Sequence, residues 1–257
     1  MKNLLSAIEN GILKGINEQS VNILADIDDT FGEIDNITSK NINSKIDSNV
    51  LYHNNFEYVD LELPSGIKWA KCNVGAPHDY IYGYRFSWGE TEHKYRYDNS
   101  TYKYAEEEII HTTVRGFSCD LNSYKMTKYT KDDCLCKLEL TDDAARANMQ
   151  GRWCLPTVKD FKELLEYTTV QWQQNYKCRG YGCLFTSKQN GNTLFLPAAG
   201  YIEGNGIFDD EEMGYYWTAD ISPYDDNTAW YLKFVGPHLQ LRTHYRMHGF
   251  SIRAVLK

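Results

Sequence analysis

The chain has 257 residues, with 27 Lys plus Arg against 35 Asp plus Glu, a formal net charge of −8, and 42% hydrophobic residues. That apolar content is enough for a core, the length suits one main domain with an appendage, and the acidity disfavours nucleic acid or anionic membrane as a partner. No uninterrupted apolar run approaches the ~18 residues needed to cross a bilayer, and the start breaks its apolar positions with Glu9, Asn10, Lys14 and Gly15, which predicts neither a span nor an export signal. The 7 Cys are an odd number, so full intramolecular pairing is excluded; reduced packing thiols and synthesis in the cytoplasm are the expectation.

Composition changes near Tyr58. All 6 Trp and all 7 Cys follow it, and the domain boundary is placed at about residues 52 to 57, dividing the chain into a segment over 1–57 and a domain over 58–257. In the first segment Leu5, Ile8, Ile12 and Ile16 recur at three- and four-residue spacing, one stripe of a helix that Gly11 and Gly15 weaken in isolation. Val21 to Ile34 mixes apolar and acidic residues without the bulk for a core of its own, so it orders best against a partner. Leu5, Ile8, Ile12, Ile16, Ile23, Leu24 and Ile27 are therefore the candidate docking residues. Ile27, Ile34 and Asn41 are seven apart, the spacing of a short coiled-coil stalk. A flexible tether and an anchoring peptide both fit this composition.

From Tyr58 onward short strands dominate. Tyr58 to Leu63 alternates, Pro64-Ser65-Gly66 supplies a turn and Ile67 to Ala70 continues, which predicts a hairpin. A second is expected from Gly182–Ser187 and Asn192–Leu196 around Asn190-Gly191, a pair suited to a type I′ turn. Gly214–Thr218, Thr228–Phe234, Leu239–Arg242 and Phe250–Val255 extend the pattern as an antiparallel meander. Two helices interrupt the strands. Thr157 and Asp160 have capping-box spacing ahead of Val158, Phe161, Leu164 and Leu165, predicting a helix over 157–167; Thr141–Asn148 is a shorter one, with Asp142 and Asp143 capping its first turn. Residues 92 to 140 read as an irregular Tyr- and Lys-rich stretch.

Tyr58-Val-Asp-Leu-Glu-Leu-Pro-Ser-Gly-Ile-Lys-Trp-Ala-Lys-Cys-Asn-Val-Gly-Ala76 resembles the opening of the FISUMP (major paralogous) domain family. The resemblance continues, in the family's order, through Tyr82–Thr91, Asp142–Ala145, Gly151–Thr157, Phe195–Tyr201, Gly214–Trp217 and Gly249–Arg253. It departs at Met149 and Cys154, where an aromatic and a basic residue are the pattern. The family resembles C-type-lectin-like domains, which implies an α+β fold: a twisted antiparallel core with two flanking helices, first and last strands near each other, and a long display loop region, here preceded by an extended or helical N-terminal anchor. The start and Ser20–Thr30 look like the short peptides ahead of diverse domains in virion proteins, including head fibres, of crAss-like tailed phages. Bacterial secreted relatives normally open with a signal sequence, so its absence favours a particle assembled inside a host cell.

Candidate chemistry is sparse. His244 and His248, four apart in an extended segment, would stand about 13 Å apart, too far to share an ion. Cys134, Cys136, Cys178 and Cys183 lack zinc-knuckle spacing. Asp209 to Glu212 and Asp225 to Asn227 offer oxygen ligands, but the Glu-Pro-Asn, Gln-Pro-Asp and Trp-Asn-Asp signatures of calcium-dependent lectins are missing, so solvated acidic loops are expected and no metal or cofactor is assigned. No nucleophile elbow, phosphate loop or metalloprotease motif is present, and the paired active-site cysteines of formylglycine-generating enzymes have no counterpart. Tyrosine, present 20 times, offers an apolar ring with a hydrogen-bonding tip, suited to stacking on sugars or filling shallow protein pockets. By the resemblance, the binding candidates are Tyr224, Asp225, Asp226, Asn227, His238, Gln240, Arg242, His244, Tyr245 and Arg246; alternatively, half of them merely cover the outer face of a sheet. The expectation is a non-enzymatic virion protein, a head fibre or capsid decoration, docked to other capsid proteins by its first segment. It would display in several copies, as dimers or trimers, a domain that binds glycans or surface proteins. A bacterial cell-associated binding module and an enzyme on the same scaffold are the alternatives.

Overall fold

In the computed structural model, residues 50–114 and 117–257 are described; Leu5, Ile8, Ile12, Ile16, Ile23, Leu24 and Ile27, and the stalk positions Ile34 and Asn41, lie outside them. The chain divides after Val50, and the unit from Leu51 to Lys257 is mostly antiparallel β-sheet with two α-helices among the described residues. It takes in residues ahead of Tyr58, because β1 (Leu51–His53) pairs with β2 (Phe56–Val59). None of its helices is long and apolar enough to cross a membrane.

The two ends of this unit meet. β2 pairs with β3 (Lys68–Ala70), and β15 (Val255–Leu256) lies between β3 and β6 (Trp153–Cys154). Trp69 sits at the junction, opposite Val59 on one side and Val255 on the other, fully buried, its ring 5.2 Å from that of Phe161. The first hairpin is longer-looped than the alternation predicts: the strand stops at Val59, Glu62 takes φ 50°, and Leu61 and Leu63 enter the core instead of the sheet. Core burial outcompetes ladder pairing there, and the expected turn forms with the Gly66 N–H donating to Leu63 O at 2.8 Å.

The capping box forms as expected: the Thr157 side chain accepts from Asp160 N–H and Asp160 from Thr157 N–H, opening α2 (Val158–Tyr167), which buries Phe161 and Leu164. The helix before it differs. Leu140–Asp142 forms a 3₁₀ turn, and α1 (Ala144–Met149) is capped by Asp143 alone, which accepts from Arg146 N–H. Asp142 faces inward and takes Lys128 and Tyr129 at 2.6 Å and Lys103 at 3.0 Å. Burial opposes its charge, but these donors hold its carboxyl well below the usual carboxylate range.

Residues 92 to 140 are not irregular throughout. β4 (Ala105–Val114) and β5 (Phe117–Met126) form a two-stranded ribbon in continuous register from Ala105↔Met126 to Val114↔Phe117. Its β-branched residues Ile109, Ile110, Thr112, Thr113 and Val114 are the available signal. Exposed Ile109, Ile110 and Leu121 gave it no buried face for the alternation to report. β7 (Thr168–Tyr176), β8 (Gly180–Ser187) and β9 (Thr193–Pro197) form a three-stranded sheet. The β8–β9 connection is longer than a type I′ turn: Gly191 N–H donates to Ser187 O, and only Gly191 of the Asn190-Gly191 pair takes positive φ.

The meander forms as β12 (Met213–Ile221), β13 (Thr228–Val235) and β14 (His238–Tyr245), flanked by β10 (Ala199–Glu203) and β11 (Gly206–Asp210); the short β10–β12 contact is parallel. The expected last strand shrinks to Val255–Leu256, since Phe250 and Ser251 make single bridges to Phe86 and Tyr216. This sheet is covered on both faces. Tyr215, Trp217 and Tyr231 enter one core with Trp88, Tyr129 and Phe250, while Tyr216, Leu232 and Phe234 enter the other with Trp69 and Phe161.

Two glycines separate conformational from steric need. Gly191 (φ +74°) has open space around it, whereas a Cβ on Gly200 (φ +58°) would stand 2.1 Å from Phe208 O. Gly191→Ala is expected to cost about 1 kcal/mol, the left-handed penalty alone, and Gly200→Ala at least twice that, read from urea midpoints.

Candidate ligand-binding face

Strand register sorts the expected binding residues. Tyr231 faces Arg242, Lys233 faces Gln240, Val235 faces His238 and Ala229 faces His244. His238, Gln240, Arg242 and His244 therefore emerge on the same side as Tyr231, while Leu239 and Leu241 pack into the second core. Tyr245 alternates to the other side. With about 3.3 Å per residue, His238 and Tyr245 are roughly 23 Å apart, so one small ligand does not touch both. Of the six candidates in the run, four thus share one side of the sheet.

The 224–227 loop is largely engaged with itself and with Arg246. Tyr224 is 75% exposed. Asp225 Oδ1 accepts from the Asn227 backbone N–H at 2.8 Å and from its side-chain amide at 2.9 Å. Asp226 O accepts from Arg246 Nη1 at 2.7 Å and Asn227 O from Arg246 N–H at 3.0 Å.

Arg246 is not a surface binding residue, contrary to its place in the polar run. It is fully buried, with its guanidinium carbon 5.0 Å from the Trp88 ring centre and 5.4 to 5.8 Å from those of Tyr102, Tyr104 and Tyr129. Its Nε donates to Tyr102 Oη at 2.9 Å and its Nη2 to Lys128 O at 2.9 Å. The chain turns after β14, breaking the alternation that would have aimed it at solvent.

The same turn overturns the expected histidine separation. His248 N–H donates to Tyr245 O, and His244 Nδ1 and His248 Nδ1 stand 3.2 Å apart, not about 13 Å. His244 Nδ1 already accepts from Tyr245 N–H at 3.0 Å, so the shared proton belongs on His248. Both rings lie among Tyr201, Tyr245 and Phe250 neighbours, and His248 Nε2 is 3.9 Å from Glu203 Oε1. Burial lowers the affinity of both for protons, with each midpoint near 4; for His244 the neighbouring His248 adds to it. No group of three His, Cys, Asp or Glu among the described residues could hold a metal, the weighed cysteines included. Burial pushes the Cys183 thiol up to about 12.

The sheet side carrying Arg242 is floored by aromatics that sequence reasoning did not single out. Tyr215 stacks on Tyr231 (5.6 Å, 5°), and Tyr201 lies 4.9 Å from Tyr215 and 5.3 Å from the exposed Phe208. Lys233 Nζ stands 5.2 Å from the Tyr215 ring centre, and Arg242 Nε donates to Gln240 Oε1 at 2.8 Å. Tyr215 donates to Asp209 Oδ2 at 2.6 Å, so one carboxylate of the expected acidic loop is engaged. Burial, reinforced by Asp209, raises the Tyr215 hydroxyl well above its ordinary value, and burial holds that of Tyr231 at about 12. Both phenols stay neutral near pH 7. The signal for these residues was the aromatic block Gly214–Trp217, whose alternating faces were not separable before the register was known. Tyr215 and Tyr231 are buried, so the rings within reach of a ligand are those of Tyr201 and Phe208, and an ammonium, an amide and a guanidinium on the Tyr231 side of the sheet add hydrogen-bond donors. The chain matches no protein-family model, no curated protein and no solved structure.

Two outcomes test this geometry. Arg246→Lys keeps the charge but loses the fork, and is expected to cost about 3 kcal/mol in urea unfolding, with amide exchange rising first at residues 225–228. Unfolded histidines gain protons as pH falls through about 6.5, whereas the folded pair does so near 4. Stability is therefore lost between those values as pH drops. His248→Gln should flatten that part of the Tm against pH curve.

Proposed function

We propose that the protein is a non-catalytic recognition protein whose domain from Leu51 onward is C-type-lectin-like and of the FISUMP type, displayed on a phage virion through its first segment as a head fibre or capsid decoration. The observation that carries the recognition reading is the stacked pair of Tyr201 and the exposed Phe208, which extends the buried Tyr215–Tyr231 layer toward the sheet side bearing Lys233, Gln240 and Arg242. A sugar ring or a shallow protein loop meets there the Tyr201 and Phe208 rings for stacking and unspent donors for hydroxyl or carboxylate oxygens. The lectin-like assignment is supported by the pairing of β3 with β15, by the helices α1 and α2, and by the sequence blocks from Tyr58 to Arg253. The virion assignment rests on the resemblance of the first segment alone. Weak single contacts would act through many copies, so an oligomer of two or three chains is part of the proposal.

A glycan array probed with the full chain tests recognition. Arg242→Ala is expected to weaken array binding about tenfold, the loss of one charge-assisted hydrogen bond, and unchanged binding in both Arg242→Ala and Lys233→Ala would remove this face. Peptides of the protein should appear in purified particles by mass spectrometry, and its absence from them would overturn the virion reading.

A further inference from the structure

A second concave surface lies on the other side of the same sheet. On β13, Trp230 alternates away from Tyr231 and thus from the aromatic floor, and with Ile221 and Pro223 it forms the apolar wall of a groove of about 640 Å³. The opposite wall is the start of α2, which contributes Lys159 and Lys162; Asp220 closes one end. The partly buried Trp230 ring lies 6.4 Å from that of the exposed Tyr224, at 57°.

The charges of this groove run against those of the chain. Lys159 and Lys162 are exposed, and neither is in ion-pair contact with a carboxylate among the described residues. Asp160, their neighbour on the helix, is engaged with Lys257 at 2.6 Å. Asp220 accepts from Val158 N–H at 2.6 Å; burial raises its carboxyl above the usual range against the pull of that amide and of Lys137. The groove therefore sets two ammonium groups without ion-pair contacts against the single carboxyl of Asp220, across from an indole, in a protein of net charge −8. Its volume lies in the roughly 300–1,000 Å³ range of small-molecule sites.

We infer that this groove binds an acidic saccharide, a pyranose whose C–H face stacks on Trp230 and whose carboxylate sits between Lys159 and Lys162. The stack needs a flat apolar ring face and the lysines need an anion, and a uronic acid carries both on one ring. A neutral sugar leaves the ammonium groups unused, and a simple anion leaves the indole uncovered. The inference deepens the glycan-recognition reading and rests on it, but uses a surface separate from the one carrying Arg242.

Calorimetry with tetragalacturonic acid and its neutral methyl ester, on the full chain, tests it. Binding of the acid, at least tenfold weaker for the ester and at least tenfold weaker after the double change Lys159→Ala with Lys162→Ala, is the expected result. The lysines are exposed, so this variant tests the groove without disturbing the core. Trp230→Phe should weaken binding less than Trp230→Ala, and Arg242→Ala should leave it unchanged. Equal binding of acid and ester, loss in Arg242→Ala with retention in the double lysine variant, or no binding of the acid would each overturn the groove. In the last two cases a positive array still sensitive to Arg242→Ala would leave the function proposed above standing.

Discussion

A guanidinium that never loses its charge is buried at the centre of the first core, with neutral oxygens and ring faces as its neighbours. Removing such a group from water costs several kcal/mol unless every N–H finds an acceptor. Arg246 places four of its five N–H groups on Tyr102 Oη and the carbonyls of Lys128, Tyr129 and Asp226, and the Trp88, Tyr102, Tyr104 and Tyr129 rings surround the guanidinium. These partners belong to segments outside the sheets, whose buried carbonyls would otherwise lack donors. Tyr129 also donates a hydrogen bond from its hydroxyl to Asp142, whose charge Lys128 and Lys103 balance, so a compensated carboxylate lies beside the cage without contacting the guanidinium. The packing of the 102–104, 128–129 and 225–228 segments thus depends on one side chain.

The device recurs. Arg253, fully buried, donates to Asn73 Oδ1 and to the carbonyls of Ala70 and Lys71, and Arg85 donates to the carbonyls of Gly83 and Ala199. The fork is less fully used than at Arg246, since Arg253 Nη2 and Arg85 Nε have no partner, but it ties the carbonyls of Lys71 and Gly83, which lie between strands, to the strand carbonyls of Ala70 and Ala199. This is how a chain with much of its length in loops holds a defined surface around the meander.

What the sequence discloses follows from range. The α2 capping box, the β8–β9 hairpin and the meander are set by residues within a few positions of one another, and alternation or capping chemistry reports them directly. Asp142 reads as a cap from its neighbours and is instead claimed by Lys103 and Lys128, which lie well before it in sequence. Arg246 and His248 read as extended positions continuing β14, and the turn after Tyr245 buries Arg246 and folds His248 back onto His244. The β4–β5 ribbon escapes because both its faces meet solvent, and a strand without a buried side leaves no periodicity. The face built on Tyr201, Tyr215 and Tyr231 needed the register of three strands, which no local pattern contains.

That same frame explains where change is cheap. On β14 the positions that face outward, His238, Gln240 and Arg242, make one side-chain bond among themselves, from Arg242 to Gln240, while Leu239 and Leu241 between them anchor the strand to the second core. Lys159 and Lys162 likewise project from a helix whose hold on the sheet lies in Phe161 and Leu164. Substitution at the outward positions alters what the surface offers a ligand without touching the buried arginines, and surface changes of that kind commonly cost within about half a kcal/mol. A scaffold in which order is carried by deep guanidinium and tryptophan groups, and chemistry by the alternating residues above them, separates stability from specificity. That separation suits the recognition role proposed above, in which the ligand-facing residues sit on a rigid scaffold.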